Sequence, residues 1–260
     1  MLIDVITIFP EMFPPVLGAS ILGRAQASGR LRIQTHYLRD YTHDRHRSVD
    51  DRPYGGGPGM VMRVEPIFEA VEAIKRKCGH TGVRHPACGG EPDTVCQMIL
   101  MSPQGERLSS PAAQQLSAAK HLILICGRYE GVDERVRAGL VDRSISIGDY
   151  VLTGGELPAM VLIDCVARFL PEVIGHEQAT EEESFAAGLL EYPQYTRPPV
   201  FRDMAVPEVL LSGDHGQVAE WRKQQAVART MAVRPDLLKS RTTETQNDHR
   251  DTENRSKGVT

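Results

Sequence analysis

The sequence lacks the features that mark secreted and membrane-spanning proteins. Its five cysteines, Cys78, Cys88, Cys96, Cys126 and Cys165, are odd in number and form no CxxC pair. This usage is typical of the reducing cytosol, where thiols pack as small apolar groups, rather than of a disulfide framework. No apolar run approaches the roughly 18 residues of a transmembrane helix, and the start of the chain has no signal-peptide pattern. We therefore expect a cytoplasmic protein with no membrane association.

Two common nucleotide-binding signatures are also missing. The chain has no GxGxxG fingerprint after a strand and no GxxxxGK[ST] loop, which excludes the usual phosphate sites for dinucleotides and nucleoside triphosphates. The formal net charge is −4, so any contact with nucleic acid must come from local basic patches. Apolar residues make up 41% and charged residues 25% of the 260-residue chain, which is typical of a folded globular protein.

Strand-like and helix-like segments alternate along most of the chain. Four apolar runs, each ending in a loop signal, predict strands: Leu2–Phe9, Gln97–Met101, His121–Cys126 and Ser144–Ile147. Periodic or alanine-rich segments predict helices: Ile67–Lys75, Pro111–Lys120, Pro158–Leu170 and Gln217–Val233. Residues 77–94, with four glycines and two prolines, predict a surface loop that is a poor place for chemistry. The alternation predicts an α/β fold whose mostly parallel sheet binds ligands outside the carboxyl ends of its strands.

Composition predicts a second, smaller part of the chain. Residues 1–170 carry the α/β pattern, whereas residues 171–199 are acidic and interrupted by prolines, which is typical of an interdomain linker. A small helical domain is expected over residues 200–239. Residues 215–239 carry five lysines or arginines against two acids, a local surplus suited to phosphate contacts. Residues 240–260 are polar and lack aromatics, which predicts a disordered tail.

Glycine-containing loops follow the last two predicted strands. They are Cys126–Gly131 and Ile147–Pro158. Glycines at strand ends let backbone amides and carbonyls approach a ligand closely. Such loops can wrap an adenosine-sized ligand, although ordinary connections in α/β proteins contain glycines as well. A third loop, Asp50–Met60, combines four glycines and two prolines with Arg52, which favours a nucleotide site over a flexible surface turn.

Several long motifs, in one order along the chain, closely resemble those of the bacterial tRNA (guanine-N1)-methyltransferases. The motifs are Val49–Met60, Leu100–Gly105, Cys126–Gly131, Ser146–Pro158 and Tyr195–Pro198. The resemblance runs from Met1 to about Leu238 and excludes much of residues 77–94. It implies a SPOUT-type α/β domain with a deep trefoil knot, followed by a small C-terminal helical domain. It also implies a homodimer with active sites at the subunit interface.

The resemblance also implies a reaction, in which a methyl group passes from S-adenosylmethionine to N1 of guanosine 37 of tRNA, next to the anticodon. The residues that it implies for cofactor binding are Leu100, Met101, Ser102, Pro103, Gly127, Tyr129, Glu130, Gly131, Ser146, Ile147, Gly148, Asp149, Tyr150, Val151, Leu152, Gly154, Gly155 and Pro158. The residues expected to face tRNA are Asp50, Arg52, Gly59, Glu130, Tyr195, Arg197, Arg222 and Lys223.

The chemistry of this reaction calls for a base and a cation. Guanine N1 must lose its proton, which a positioned carboxylate can accept, and negative charge then develops toward O6. The resemblance places the base at Glu183, where the family has an aspartate, and the added methylene can displace the carboxylate by more than the roughly 1 Å that matters for rate. Glu182 and Glu191 are possible substitutes, and by composition alone all three are solvated linker charges.

The cation that the resemblance implies at O6 is Arg168. From the residues alone, Arg168 is better explained by a snorkelling side chain or by interaction with the C-terminal dipole of its helix. Magnesium is implied as well, but the sequence indicates no metal ligands. His43 and His46, for example, lack further histidines or cysteines at a zinc spacing.

Two other functions are compatible with the same motifs. One is a SPOUT methyltransferase that acts on a different RNA, such as ribosomal RNA. The other is a non-catalytic RNA-binding protein, an alternative that the glutamate at position 183 keeps open.

Overall fold

The computed structural model describes residues 1–78, 96–175 and 183–238. Most of the predicted loop at residues 77–94 and the predicted tail at residues 240–260 lie outside the described residues. The chain divides into two compact units, Met1–His176 and Glu177–Thr260. Within the described ranges, no helix is long and apolar enough to cross a membrane.

A parallel sheet of five strands forms the centre of the first unit. In chain order its strands are β1 (Leu2–Thr7), β2 (Arg32–Tyr37), β5 (Cys96–Arg107), β6 (His121–Cys126) and β7 (Arg143–Ser146). Their order in space is β2-β1-β6-β5-β7, and every neighbouring pair is parallel. The predicted α/β fold with a mostly parallel sheet is confirmed. A short antiparallel pair, β3 (Asp50–Asp51) and β4 (Val61–Met62), flanks the glycine-rich loop between them.

Helices cover both faces of this sheet. One core lies under α3 (Val64–Lys77) and α5 (Glu134–Leu140), and it takes Ile6, Ile123 and Ile125 from the strands. The opposite core takes Ile3, Val5, Leu122 and Leu124 from the same strands. It lies under four helices: α1 (Pro14–Leu17), α2 (Ser20–Ala27), α4 (Ser110–Ser117) and α6 (Glu156–Ala167). Because successive side chains of a strand point to opposite faces, continuous apolar runs such as β6 supply both cores.

The strand predicted to end at Met101 continues to Arg107, so that boundary was wrong. The register of β5 against β7 shifts between Met101 and Glu106, and Glu106 and Arg107 then pair with β7 again. Pro103 lies within the interruption, which is where a residue without a backbone N–H is tolerated in a sheet. The Ser102-Pro103 pair therefore marks an irregularity inside a strand rather than its end.

A buried carboxylate, Asp4, joins three neighbouring strands of the sheet: β1, which carries it, and the strands β2 and β6 on either side. Its Oδ1 lies 2.5 Å from His36 Nε2 on β2, and its Oδ2 lies 2.6 Å from His121 Nε2 on β6. Burial raises the pKa of Asp4, but the hydrogen bonds and positive charges of His121 and His36 outweigh burial and lower the pKa to about 2. The carboxylate is therefore ionised at neutral pH.

The second unit contains a short hairpin and one long helix. The hairpin is formed by β8 (Val200–Phe201) and β9 (Met204–Ala205), and the helix α7 (His215–Val233) begins two residues before its predicted start. The Asp214 side chain accepts a hydrogen bond from Gln217 N, which caps α7. The knot and the tRNA-binding role of this part of the chain stay predictions.

Candidate functional site

A cavity of about 510 Å³ opens at the carboxyl ends of β5, β6 and β7. Its volume lies within the range of small-molecule and cofactor sites, which is roughly 300–1,000 Å³. Three segments form most of its wall: the continuation of β5 over residues 100–104, the loop after β6 over residues 127–132, and the residues between β7 and α6. This is the edge of the sheet where the alternating pattern predicted a ligand.

The residues implied for cofactor binding come together around this cavity, except for Gly148 and Asp149, which do not line it. Their role in binding stays a prediction. The wall also contains residues that the sequence did not single out: Gln104, Arg128, Val132, Glu134, Arg137, Ser144, Ile145 and Thr153. Arg128 could have been predicted as a wall residue, because it lies inside the motif Cys126–Gly131.

Gly154 and Gly155 permit a close approach between two segments of the backbone. Gly155 N donates a hydrogen bond to Gly127 O at 2.8 Å. A Cβ at Gly155 would lie 2.8 Å from Cys126 Cα, and one at Gly154 would lie 2.1 Å from Arg128 Nε. By contrast, the nearest atoms to a Cβ at Gly127 would be at 3.6 Å and 3.8 Å, which is ordinary contact. The glycine pair therefore lets α6 begin directly against the end of β6.

An ion pair behind the cavity wall joins the loop after β6 to α6 and β1. The Glu156 side chain is fully buried. Its Oε2 accepts a hydrogen bond from Arg128 Nε at 2.8 Å, and its Oε1 accepts one from Thr7 Oγ1 at 2.8 Å. The Arg128 guanidinium also donates to Thr153 O at 3.2 Å and lies 4.4 Å from the centre of the Phe9 ring. These contacts hold Arg128 in one position beside the cavity.

The thiol of Cys126, at the end of β6, is buried. Burial, and then the charge of Glu156, raise the pKa of Cys126 well above its usual value. The thiol is therefore protonated at neutral pH, and only the thiolate is a good nucleophile.

The glycine-rich loop and β4 support the cavity residues from outside. Glu130 N donates to Met60 O at 3.0 Å, and Met62 N donates to Gly131 O at 2.9 Å. A Cβ at Gly59 would lie 2.3 Å from Glu130 Oε1, and the φ angle of Gly59 is +84°. Both the space and the backbone conformation therefore favour glycine at this position.

Three of the residues expected to face tRNA, Asp50, Arg52 and Gly59, lie on this same loop. Burial, followed by the carboxylate of Asp50, raises the pKa of the Tyr129 hydroxyl, so Asp50 lies close to a residue of the cavity wall. Arg52 is exposed. The structure thus brings residues predicted for tRNA next to residues predicted for the cofactor.

Arg168 lies at the end of α6 that is remote from the cavity. Pro158, near the start of α6, lines the cavity, whereas Arg168 is the C-cap residue of that helix and is not among the lining residues. A helix of 12 residues is about 18 Å long. Within one chain, the structure therefore does not bring Arg168 to the cavity.

Glu183, the predicted base, belongs to the second unit and is half-buried in a turn. The Oγ of the next residue, Ser184, accepts a hydrogen bond from Glu191 N at 3.0 Å. Phe185 N donates to Leu189 O at 2.7 Å. These bonds give the turn a defined shape. Glu191 is the acceptor of a 2.5 Å hydrogen bond from Gln194 Nε2, and Glu182 lies outside the described residues.

A second cavity, of about 560 Å³, lies within the second unit. Three of the residues expected to face tRNA, Tyr195, Arg197 and Arg222, line it together with Trp221, and Lys223 is exposed. The Arg222 guanidinium lies 4.8 Å from the centre of the Tyr192 ring. Arg222 Nε is buried and has no hydrogen-bond partner among the described residues. Aromatic rings beside an arginine suit the stacking of nucleic-acid bases.

Comparison with known proteins gives consistent matches along the chain. A family model described as tRNA (Guanine-1)-methyltransferase TrmD matches residues 1–240. A curated protein of Moorella thermoacetica is 57% identical over 238 residues, which are 92% of this chain and 90% of that protein. Proteins of Dictyoglomus turgidum and Salmonella paratyphi C are each 50% identical, with 95% and 92% of this chain and 93% and 89% of theirs covered. All three carry the name tRNA (guanine-N(1)-)-methyltransferase.

Proposed function

The chain belongs to the tRNA (guanine-N1)-methyltransferase family, and on that premise we propose that it transfers a methyl group from S-adenosylmethionine to N1 of guanosine 37 of tRNA. The observation that carries the proposal is the cavity at the carboxyl ends of β5, β6 and β7, because all but two of the residues implied for the cofactor line it. Relatives that share half or more of the sequence and are named for tRNA make ribosomal RNA the weaker alternative.

The cavity suits an adenosine-containing ligand held without a phosphate-binding loop. Its volume of about 510 Å³ is adequate, and much of its wall is backbone at Gly127, Gly131 and Gly154. Amides and carbonyls at such positions would bond the edge of an adenine and the hydroxyls of a ribose. When bound, the cofactor supplies an electrophilic methyl group on a sulfonium sulfur. The chain itself has to position guanine N1 in line with that methyl group and to exclude water.

Glu183 is proposed to take the proton from guanine N1. The N1 electron pair then forms the bond to the methyl carbon as the carbon–sulfur bond breaks. Arg168 is proposed to stabilise the negative charge that develops at O6. The described residues around the cavity offer no group of three carboxylate, imidazole or thiol ligands at a metal spacing. For this reason no step is assigned to the magnesium ion that the resemblance implies.

The position of Arg168 supports a homodimer in which each chain completes the other's site. Arg168 lies ten residues, or about 15 Å along α6, from Pro158 in the cavity wall of its own chain. The same helix exposes Leu157 at 51% and Val161 at 41%. Leu157, Val161 and Arg168 are spaced by four and seven residues, so they share one side of the helix. A second copy packed on this side would cover the apolar residues and receive Arg168.

Methyl transfer to tRNA transcripts tests the proposed reaction. A transcript with guanosine at position 37 is expected to accept one labelled methyl group, and the same transcript with adenosine at position 37 is expected to accept none. Equal labelling of both would place the modified base elsewhere. Calorimetry with S-adenosylmethionine distinguishes the proposed enzyme from the non-catalytic RNA-binding protein. A folded protein that binds no S-adenosylmethionine cannot be the proposed enzyme.

A further inference from the structure

Three potential metal ligands converge at the amino-terminal end of the sheet, opposite the cavity. They are Asp4 on β1, His121 at the start of β6 and Cys78, which directly follows α3. One ligand atom from each lies within 4.8 Å of the other two. We propose that these three side chains bind a single zinc-type divalent cation at a site separate from the catalytic cavity.

The distances are close to those of a tetrahedral site. Zinc bonds of about 2.0–2.3 Å place neighbouring ligand atoms roughly 3.3–3.8 Å apart. Cys78 Sγ, up to 4.8 Å from the other two ligand atoms, must move closer by about 1 Å, whereas Asp4 Oδ2 and His121 Nε2, which are 2.6 Å apart, must open by roughly 0.7–1.2 Å. Cys78 can supply this movement because it is the C-cap residue of α3 rather than part of the sheet. The backbones of Asp4 and His121, at 2% and 3% exposure, are fixed by the strands that carry them, so these two ligands must separate by rotation of their side chains.

The groups around these ligands already have the arrangement of an outer coordination shell. A metal-bound histidine usually donates its other ring N–H, and a metal-bound carboxylate usually accepts a further hydrogen bond. His121 Nδ1 lies 3.6 Å from Cys96 Sγ. The second oxygen of Asp4 lies 2.5 Å from His36 Nε2, and His36 Nδ1 lies 3.1 Å from the Tyr41 hydroxyl.

The donor set selects the class of ion. One carboxylate oxygen, one imidazole nitrogen and one thiolate sulfur suit Zn²⁺ or Co²⁺, whereas Mg²⁺ prefers oxygen ligands alone. The ion would replace the proton held between Asp4 Oδ2 and His121 Nε2, which are 2.6 Å apart. The Cys78 thiol would release its proton on binding. Because Cys78 is only partly buried, it also gives the ion a path from solvent.

A cluster without metal is the alternative explanation. The hydrogen bonds of Asp4 with His36 and His121 need no ion. They do not explain why a thiol lies within reach of both Asp4 and His121. The two explanations differ in whether sulfur becomes a ligand.

Cobalt titration of the full-length, chelator-treated protein distinguishes them. We expect one equivalent of Co²⁺ to produce a thiolate-to-cobalt charge-transfer band in the near ultraviolet. Cys78→Ser is expected to abolish this band and to weaken binding at least tenfold. Cys165→Ser is the matched control, because Cys165 is a half-buried thiol packed against the opposite core, and this variant should keep the full band.

Variants of the other two ligands, His121 and Asp4, test whether cobalt binds at the proposed site. A band that persists in His121→Gln or Asp4→Asn would show that cobalt binds elsewhere, and a wild-type protein without any band would leave the metal-free cluster as the explanation. X-ray absorption on the wild-type protein loaded with Zn²⁺ does not depend on variants that fold. It should show one sulfur with nitrogen and oxygen neighbours, and a shell with no sulfur or with several would overturn the proposal.

Discussion

At the scale of single residues, the carboxylate of Glu156 connects parts of the chain that lie far apart in sequence. It binds Thr7, which is 149 positions away, and Arg128, which is 28 positions away. The pattern predicted a helix starting at Pro158, which excluded Glu156 from α6 and gave no partner for it. Contacts of this separation depend on the sheet order, which local patterns do not encode. Motifs thus marked both Arg128 and Glu156 without revealing that they form a pair.

Removing the Glu156 carboxylate tests the importance of this pair. Glu156→Ala is expected to lower the free energy of unfolding by about 3–5 kcal/mol, because the charge of Arg128 then stays largely buried without its partner. Urea unfolding measures the change. The control is Glu134→Ala, which breaks the exposed pair with Arg137 and should leave stability nearly unchanged. Similar losses in both variants would mean that burial adds nothing to the Glu156–Arg128 pair.

Variants at Glu183 test the proposed base. Glu183→Gln removes the proton acceptor but keeps size and shape, so turnover is expected to fall by roughly 10²–10⁴-fold while the affinity for S-adenosylmethionine stays the same. Glu183→Asp keeps a carboxylate at this position and is expected to stay active. Single-turnover methylation and calorimetry give the two readouts. A fully active Glu183→Gln variant would move the role to another carboxylate, with Glu191 as the first candidate.

At the scale of secondary structure, predictions succeeded where apolar residues are continuous. β6 has the predicted bounds because all six of its residues are buried. β2 was not predicted: it is an edge strand of exposed or half-buried residues, and its sequence RIQTHY contains few aliphatic residues. The helix α2, with only Leu22 and Ala25 buried, was missed for the same reason. Partial burial weakens the regular spacing of apolar residues on which predictions of strands and helices depend.

Two glycines beside the cavity should respond differently to the same substitution. Gly155→Ala places a Cβ 2.8 Å from the Cys126 backbone, so the start of α6 must shift, with losses of both stability and cofactor binding. Gly127→Ala meets no atom closer than 3.6 Å, so the protein should fold normally and lose only part of its cofactor affinity. Thermal unfolding and calorimetry separate the two effects. If Gly155→Ala unfolded like the wild type, the close approach would not constrain this position.

At the scale of the whole molecule, the family resemblance located the wall of the cavity but not the distance of Arg168 from it. The cavity is formed by loops of one unit, and its residues lie inside contiguous motifs. The position of Arg168 depends on the length and direction of α6. Whether it acts in its own chain or in another depends on assembly, which no motif within one chain can specify.

Mixed dimers test the proposal that Arg168 acts in the partner's cavity. Arg168→Ala removes the cation, and Gly127→Val adds bulk beside Met101 and Val132, which line the cavity. Each variant alone is expected to be nearly inactive. The two variants are given different tags, co-expressed and purified as a mixed dimer. This dimer should recover about half of the wild-type activity, because one of its two sites is intact.

The control for this experiment is each variant co-expressed with itself under both tags. A mixed dimer that binds S-adenosylmethionine in one subunit but stays inactive would show that Arg168 serves its own chain. A protein that sediments as a monomer at assay concentrations would contradict the dimer altogether.

The position of β1 inside the sheet has a consequence during protein synthesis. β1 is flanked by β2 and β6, and β6 emerges from the ribosome much later than β2. At about 5–20 residues per second, the roughly 80 residues between them take about 4–16 s to synthesise. For that time the nascent chain carries an apolar strand with an unpaired edge, which promotes aggregation.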